Sequence, residues 1–196
     1  MSRADEIAEV LTRIAAERGL EHVSVREVAA AAGVSIGAVQ HHFATKDEML
    51  AFAFRHVVER TGARLAAFRP GRSPERDLAR VLRELLPLDE TRRAECRVYV
   101  AFAARAALDP ALAAIQRETQ AQLLDGLTET LRRARDAGLG AGPGTGRVPP
   151  LDPRTDATLL LAVVDGLTFD AVAEPDRLPP RRLTALLDRY LKRLLR

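Results

Sequence analysis

The sequence predicts an all-α protein in two parts, a small N-terminal unit and a larger C-terminal one, and three observations lead there. Ala, Leu and Arg dominate the 196 residues, and these are among the strongest intrinsic helix formers. Apolar residues recur with the 3.6-residue period of an amphipathic helix rather than the two-residue period of a strand. Helix-start signals, in which Ser, Thr or Asp precedes Pro or stands three residues before Glu, recur along the whole chain.

Each element follows from those signals. Ile7, Val10, Leu11, Ile14 and Ala15 form one stripe of a first helix, Arg3 to Arg18, which Gly19 ends. Ser24-Val25-Arg26-Glu27 is a capping box, its hydroxyl and carboxylate satisfying free N–H groups at the start of a second helix that runs to about Ala32. Beyond Gly33, Ser35 caps a short third helix through Phe43, and Thr45-Lys46-Asp47-Glu48 opens a fourth. That fourth helix, spanning about residues 46–69 as a bridge between domains, stops at Pro70-Gly71. Ser73-Pro74 starts a fifth, ending near Pro87; Asp89 caps a sixth to about Leu108; Asp109-Pro110 starts a long seventh that ends by Gly138. Residues 138–150, GLGAGPGTGRVPP, are too rich in Gly and Pro for regular structure and are expected to form a mobile surface loop. A phosphate-binding reading of those glycines fails, because no strand precedes them and no Gly-Lys-Ser/Thr closes them. Asp152-Pro153 then starts an eighth helix to about Ala173, and Pro179-Pro180 a ninth to the C-terminus.

Composition bounds the function. The formal charge is +3 and the pI about 9.6, a balance that suits nucleic acid. Its distribution does not: residues 1–50 hold five Lys/Arg against eight Asp/Glu, whereas residues 51–196 hold 25 against 19. DNA binding must therefore rest on local pattern, and residues 33–46 contain no acid. A single cysteine, Cys96, excludes an internal disulfide, the N-terminus lacks a signal-peptide pattern, and the apolar run Leu159 to Val164 is too short to cross a membrane. A soluble, cytoplasmic protein is expected.

The segment from Ser24 to Lys46 carries the functional signal. A helix-turn-helix needs a small residue where the helices cross, a residue tolerant of positive φ in the turn, and apolar anchors beneath the second helix. Ala29, Gly33, and Val28 with Val39 meet those needs. Ser35 to His42 is then the recognition helix, whose N-terminal part enters the major groove. Ser35, Ile36, Gly37 and Ala38 are short enough for close approach; Gln40 can pair with adenine, and Ile36 or Ala38 can touch a thymine methyl. Ser24, Arg26, His41, His42 and Lys46 suit the phosphate backbone.

From Ser24-Val25-Arg26-Glu27-Val28-Ala29 through Gly33-Val34-Ser35 to Gly37-Ala38-Val39-Gln40-His41-His42-Phe43 and Lys46, the chain resembles the TetR family of transcriptional regulators over roughly residues 5–55. The resemblance implies an N-terminal three-helix helix-turn-helix domain, residues 1–48, and a helical ligand-binding and dimerisation domain, residues 49–196. It implies a repressor that binds double-stranded palindromic operator DNA as a homodimer and is released by a small effector, without cofactor or catalytic residues. Gln40 stands where many members carry tyrosine, which opens a direct base contact. The segment from Pro87-Leu88-Asp89-Glu90 to Ala103-Ala104-Arg105-Ala106 is similar to the BetI-like branch.

Within the larger domain, Cys96, Tyr99 and Phe102 on one helix, Leu123 and Leu127 on the long one, and Asp165, Thr168 and Phe169 on the eighth are the expected effector-binding residues, alternatively ordinary core. With no tryptophan and few aromatics, a cage for choline, the ligand the BetI-like resemblance suggests, is not expected. Leu160 and Val164, with the seam Leu183, Leu187, Tyr190 and Leu194, are the expected dimer interface, alternatively packing within one chain. His41 and His42 point about 100° apart on a helix with no third ligand at i+3 or i+4, which argues against a metal site. Two other classes stand beside the regulator: a helical enzyme or ligand carrier, for which none of His22, His41, His42 and His56 has a partner at catalytic spacing, and a helical protein-interaction module. Cys96 as a redox sensor is a further alternative to a small core residue.

Overall fold

The computed structural model describes residues 3–19, 23–69, 71, 73–140 and 150–195, and among them every regular element is α-helical. The order is α1 (Arg3–Arg18), α2 (Val25–Ala32), α3 (Ile36–His42), α4 (Lys46–Ala67), α5 (Pro74–Arg83), α6 (Glu90–Ala106), α7 (Pro110–Asp136), α8 (Pro153–Ala173) and α9 (Pro180–Leu194). The start signals act as expected. Ser24, Ser35, Ser73, Asp89 and Asp152 each accept a hydrogen bond from a backbone N–H in the first turn that follows. Asp109 does the same for Ala111 and Leu112. α5 stops at Arg83, short of the expected Pro87, because Glu84, Leu85 and Leu86 turn back onto Val81, Leu82 and Arg83 carbonyls in three-residue steps.

The contacts divide the chain into two compact units, residues 1–63 with 89–116, and residues 64–88 with 117–196. The boundary expected at 48/49 is not where the packing divides. Val98 of α6 is fully buried among α1, α2, α3 and α4 residues, and Phe102 of α6 lies with Leu50 and Phe54 of α4, so α6 belongs with the N-terminal helices.

In the first unit, Ile7, Leu11, Val28, Val39, Met49 and Val57 make one core. A second core surrounds Phe54 and Phe102, whose rings stack at 3.8 Å and 1°. Glu95, only 5% exposed, meets Arg60 at 3.3 Å, so the charge that α6 buries is paired to α4. The core of the second unit gathers Leu78, Leu82 and Leu86 of the α5 segment, Leu127 and Leu131 of α7, Leu160 and Val164 of α8, and Leu187 and Leu191 of α9. Thr168 is buried and donates to the Leu85 carbonyl at 3.3 Å, one of the orphan acceptors that the end of α5 leaves. Arg83 and Asp188 pair α5 with α9 at 2.7 Å.

Of the loop expected over 138–150, residues 141–149 lie outside the described residues, as does His22. Its ends are anchored rather than loose. Leu151 donates to the Gly140 carbonyl at 3.0 Å, and Gly140 donates to the Leu195 carbonyl at 3.3 Å. Gly140 has φ of 71°, and a Cβ there would stand 2.8 Å from the Leu151 Cβ, so glycine is required on both counts.

Candidate nucleic-acid interface

Three short-range devices set the pose of α3. Gly33 takes a left-handed conformation with φ of 65°, its N–H reaching the Ala30 carbonyl and that of Val34 the Ala29 carbonyl, which ends α2 and reverses the chain. Ser35 Oγ accepts from the Ala38 N–H at 3.1 Å and fixes the first turn of α3. Val39, fully buried, and Phe43, which closes the helix through its N–H to the Val39 carbonyl, pin the inner face to the core.

That leaves the outer face of α3 to solvent. Ser35, Ile36, Gly37, Gln40, His41 and His42 are exposed, and Ala38 is half-buried. Ile36, at 44%, is among the exposed large apolar residues, which internal packing does not explain. Gly37 likewise serves no internal need, since a Cβ there would meet only Ser35 Oγ at 3.9 Å. The His41 and His42 rings meet edge to face at 5.6 Å.

Two flanking helix starts frame this face. Thr45 Oγ1 accepts from the Glu48 N–H at 3.1 Å while Glu48 accepts from the Ala44 N–H at 2.8 Å, the reciprocal bonds of a capping box. Lys46, exposed, is therefore held at the first position of α4. At the start of α2, Ser24 and Arg26 are exposed, and Glu27 pairs with Arg18 at 3.1 Å. All ten DNA-facing residues expected from the sequence thus lie in the first unit, nine of them exposed and Ala38 half so.

The effector residues divide between the units. Cys96 and Phe102 are buried and Tyr99 is half-buried in the first, where the Tyr99 ring lies 6.4 Å from that of Phe54. Leu127 and Thr168 are buried, and Leu123 and Asp165 half-buried, in the second. Phe169 is 58% exposed and lies outside the second unit's core. Sequence reasoning missed Gln116, whose amide donates to the Tyr99 hydroxyl at 3.5 Å and whose Oε1 is buried with no hydrogen-bond partner among the described residues. The available signal was a polar residue beside Leu112 and Ile115 on the buried side of α7.

The leucines of the expected dimer seam pack inward within their own chain. Leu160, Leu183 and Leu187 are 0% exposed and Val164 is 2% exposed within their own chain, so they have no surface left to offer a partner. Tyr190 and Leu194 are half-buried against the same core. Burial, and then the Asp156 carboxylate, push the Tyr190 phenol above its ordinary pKa, which keeps it a neutral donor. The apolar surface lies elsewhere: Leu159, Ala162, Gly166 and Phe169 on α8 are exposed, as is Leu186 on α9.

Residues 7–53 match the family of bacterial regulatory proteins of the tetR type, and residues 74–196 match the BetI-type transcriptional repressor C-terminal region. The chain is 29% identical over 192 residues to the HTH-type transcriptional regulator PksA of Bacillus subtilis, covering 97% of this chain and 88% of that protein. It is similar to the crystal structure of a transcriptional regulator from Rhodococcus sp. Rha1, with a TM-score of 0.84 and 46% identity over 98% of this chain and 96% of that one. A regulator from Saccharomonospora viridis, solved in complex with choline, shares the fold at a TM-score of 0.83 and 21% identity, covering 98% and 96% of the two chains.

Proposed function

Since the chain belongs to the TetR family of bacterial transcriptional regulators and carries a BetI-type repressor C-terminal region, we propose that it represses by binding palindromic operator DNA through α3 and lets go when a small, largely apolar effector binds. It is a regulator rather than an enzyme. The observation that carries the DNA-binding reading is the outer face of α3. It is exposed, built of small side chains around one amide, Gln40, and lies in a stretch from 33 to 46 without an acid. Gln40 is the base-reading residue, with Ile36 and Ala38 against thymine methyls. Ser24, Arg26, His41, His42 and Lys46 hold the backbone, and Ser35 and Gly37 allow the approach.

In function, residues 1–48 bind DNA, while residues 49–196, α6 among them, bind the effector and dimerise. Tyr99 and Gln116 supply the polar points of an effector site and Phe102 and Leu112 its apolar wall, supported by the unpaired Gln116 Oε1. The homodimer forms through the exposed faces of α8 and α9. Residues 159, 162, 166 and 169 fall within an arc of about 80° on an α-helix, and all four are exposed and apolar or glycine. A two-fold axis there sets two α3 helices about one DNA turn, roughly 34–36 Å, or a small multiple apart, which requires a palindrome. An effector that favours another spacing then lowers affinity by shifting the population. The protein works in the cytoplasm, where its operator lies.

Fluorescence anisotropy with the DNA upstream of its own gene, against a scrambled duplex of equal length, tests this reading. Saturable binding to the upstream DNA alone, weakening as salt rises, is expected; equal binding to both duplexes contradicts it.

A further inference from the structure

The segment that is to meet DNA is not itself cationic. Residues 24–48 hold two Lys/Arg against three acids, Glu27, Asp47 and Glu48, and a carboxylate beside a phosphate repels it. Each of the three is engaged. Glu27 pairs with Arg18 of α1 at 3.1 Å. Glu48 accepts from the Ala44 N–H at 2.8 Å within its capping box. Asp47 Oδ1 accepts from Arg105 Nη2 at 2.7 Å, and Arg105 stands in the last turn of α6, 58 positions further along the chain.

The pair with Arg105 differs from the other two in its task. Glu48 completes a helix start, and Glu27 is drawn into the cap of α2 by the Ser24 hydroxyl at 3.3 Å, so both serve local structure. Asp47 takes its hydrogen bond from another helix instead. Both partners are open to water, the Arg105 side chain 55% and that of Asp47 40% exposed, where an ion pair adds little to stability. Its consequence lies in the field outside. A phosphate approaching the outer face of α3 also meets the N-terminal end of α4, where the helix dipole attracts an anion and a bare Asp47 would repel it. Such fields reach about 10 Å at 0.1 M salt, so Arg105 acts without touching DNA.

We propose that Arg105 belongs to the DNA-binding surface as a charge mask: it cancels Asp47 beside the α3 face, so that a net-acidic N-terminal segment accepts a polyanion. The inference rests on α3 meeting DNA, as proposed above, and not on which bases it reads.

Anisotropy of the full chain with two duplexes, the DNA upstream of its own gene and a scrambled duplex of equal length, tests it at about 50 and about 200 mM salt. Arg105→Gln should weaken both duplexes alike, by at least about fivefold at the lower salt, with a smaller deficit at the higher salt as screening grows. Arg105→Lys should keep most of the affinity. Asp47→Asn added to Arg105→Gln should restore binding close to wild type, because no charge is then left to mask. Melting temperatures of all three should stay near wild type. An Arg105→Gln protein that binds like wild type overturns the mask. So does a double variant as weak as Arg105→Gln, which makes Arg105 a phosphate contact in its own right if melting is unchanged and a fold contact if melting falls. Equal wild-type binding to the two duplexes overturns operator recognition while the Arg105 comparison still reads the mask; no wild-type binding to either overturns both.

Discussion

Replacing Leu187 by Ala separates the two roles that a C-terminal leucine can have. Leu187 is 0% exposed and sits with Leu82, Leu131, Leu160 and Leu191 in the core of the second unit. Truncating a fully buried leucine costs about 2.7–5 kcal/mol, the spread reflecting how far the site collapses. The neighbours here come from four different helix segments, and close-packed interiors relax only in part, which argues for the upper half of that range. At roughly 2–4 °C per kcal/mol for a protein of this length, melting should fall by roughly 8–20 °C. Calorimetry at fixed protein concentration measures the loss, and light scattering at 15 °C measures the mass of the folded protein, which should stay that of a dimer. The paired variant is Leu159→Arg, at a position 52% exposed on α8, which should give folded monomers with little change in the chain's own core. A Leu187→Ala protein that becomes monomeric while keeping its melting temperature would refute the inward assignment of α9 and restore the seam through Leu183 and Leu187.

Further consequences concern the first unit. Ser35→Ala removes the cap on the Ala38 N–H and should cost about 0.5–2 kcal/mol in urea unfolding; no change would mean that the cap contributes nothing to the pose of α3. Gly33→Ala meets no atom within 4 Å but must hold φ at 65°, so a loss of about 1–2 kcal/mol is expected from backbone strain alone, with unaltered stability as the contrary result. Phe102→Ala, which removes a fully buried ring stacked on Phe54, should cost about 3–5 kcal/mol, and a thermal melt within two degrees of wild type would contradict the aromatic core. Lys46→Ala should weaken binding to all DNA sequences alike and reduce the salt slope by about one per half-site; a change in base preference instead would move Lys46 from backbone to base contact.

How legible these features were depends on the range of the interactions that fix them. Helix starts depend on bonds spanning two to four residues, as at Ser24, Ser35, Asp89 and Asp152, so they could be read directly. The pose of α3 is equally local, set by Gly33, Ser35 and Val39, and the outward face from Ser35 to His42 followed from it. The faces of α8 were not legible, because Leu159 to Val164 is apolar almost all round and a continuous apolar run has no phase to show which side is inward. On α9 the spacing from Leu183 to Leu187 was legible as a seam, but spacing alone does not say which surface a seam meets; the leucines buried on this helix are 183, 187 and 191. The anchoring of Gly140 by Leu151 and Leu195, and the pairing of Arg105 with Asp47 across 58 positions, join distant residues and leave no local trace.

The central claim is that Gln40 on the exposed face of α3 reads a base. Selection from a pool of randomised duplexes, run in parallel with the wild-type protein and Gln40→Ala, tests it most directly. The wild type should recover a palindrome, and Gln40→Ala should recover the same palindrome with one position per half-site relaxed, a loss of about 1–3 kcal/mol of discrimination there. An unchanged preference at every position would remove Gln40 from base readout and contradict the assignment of α3.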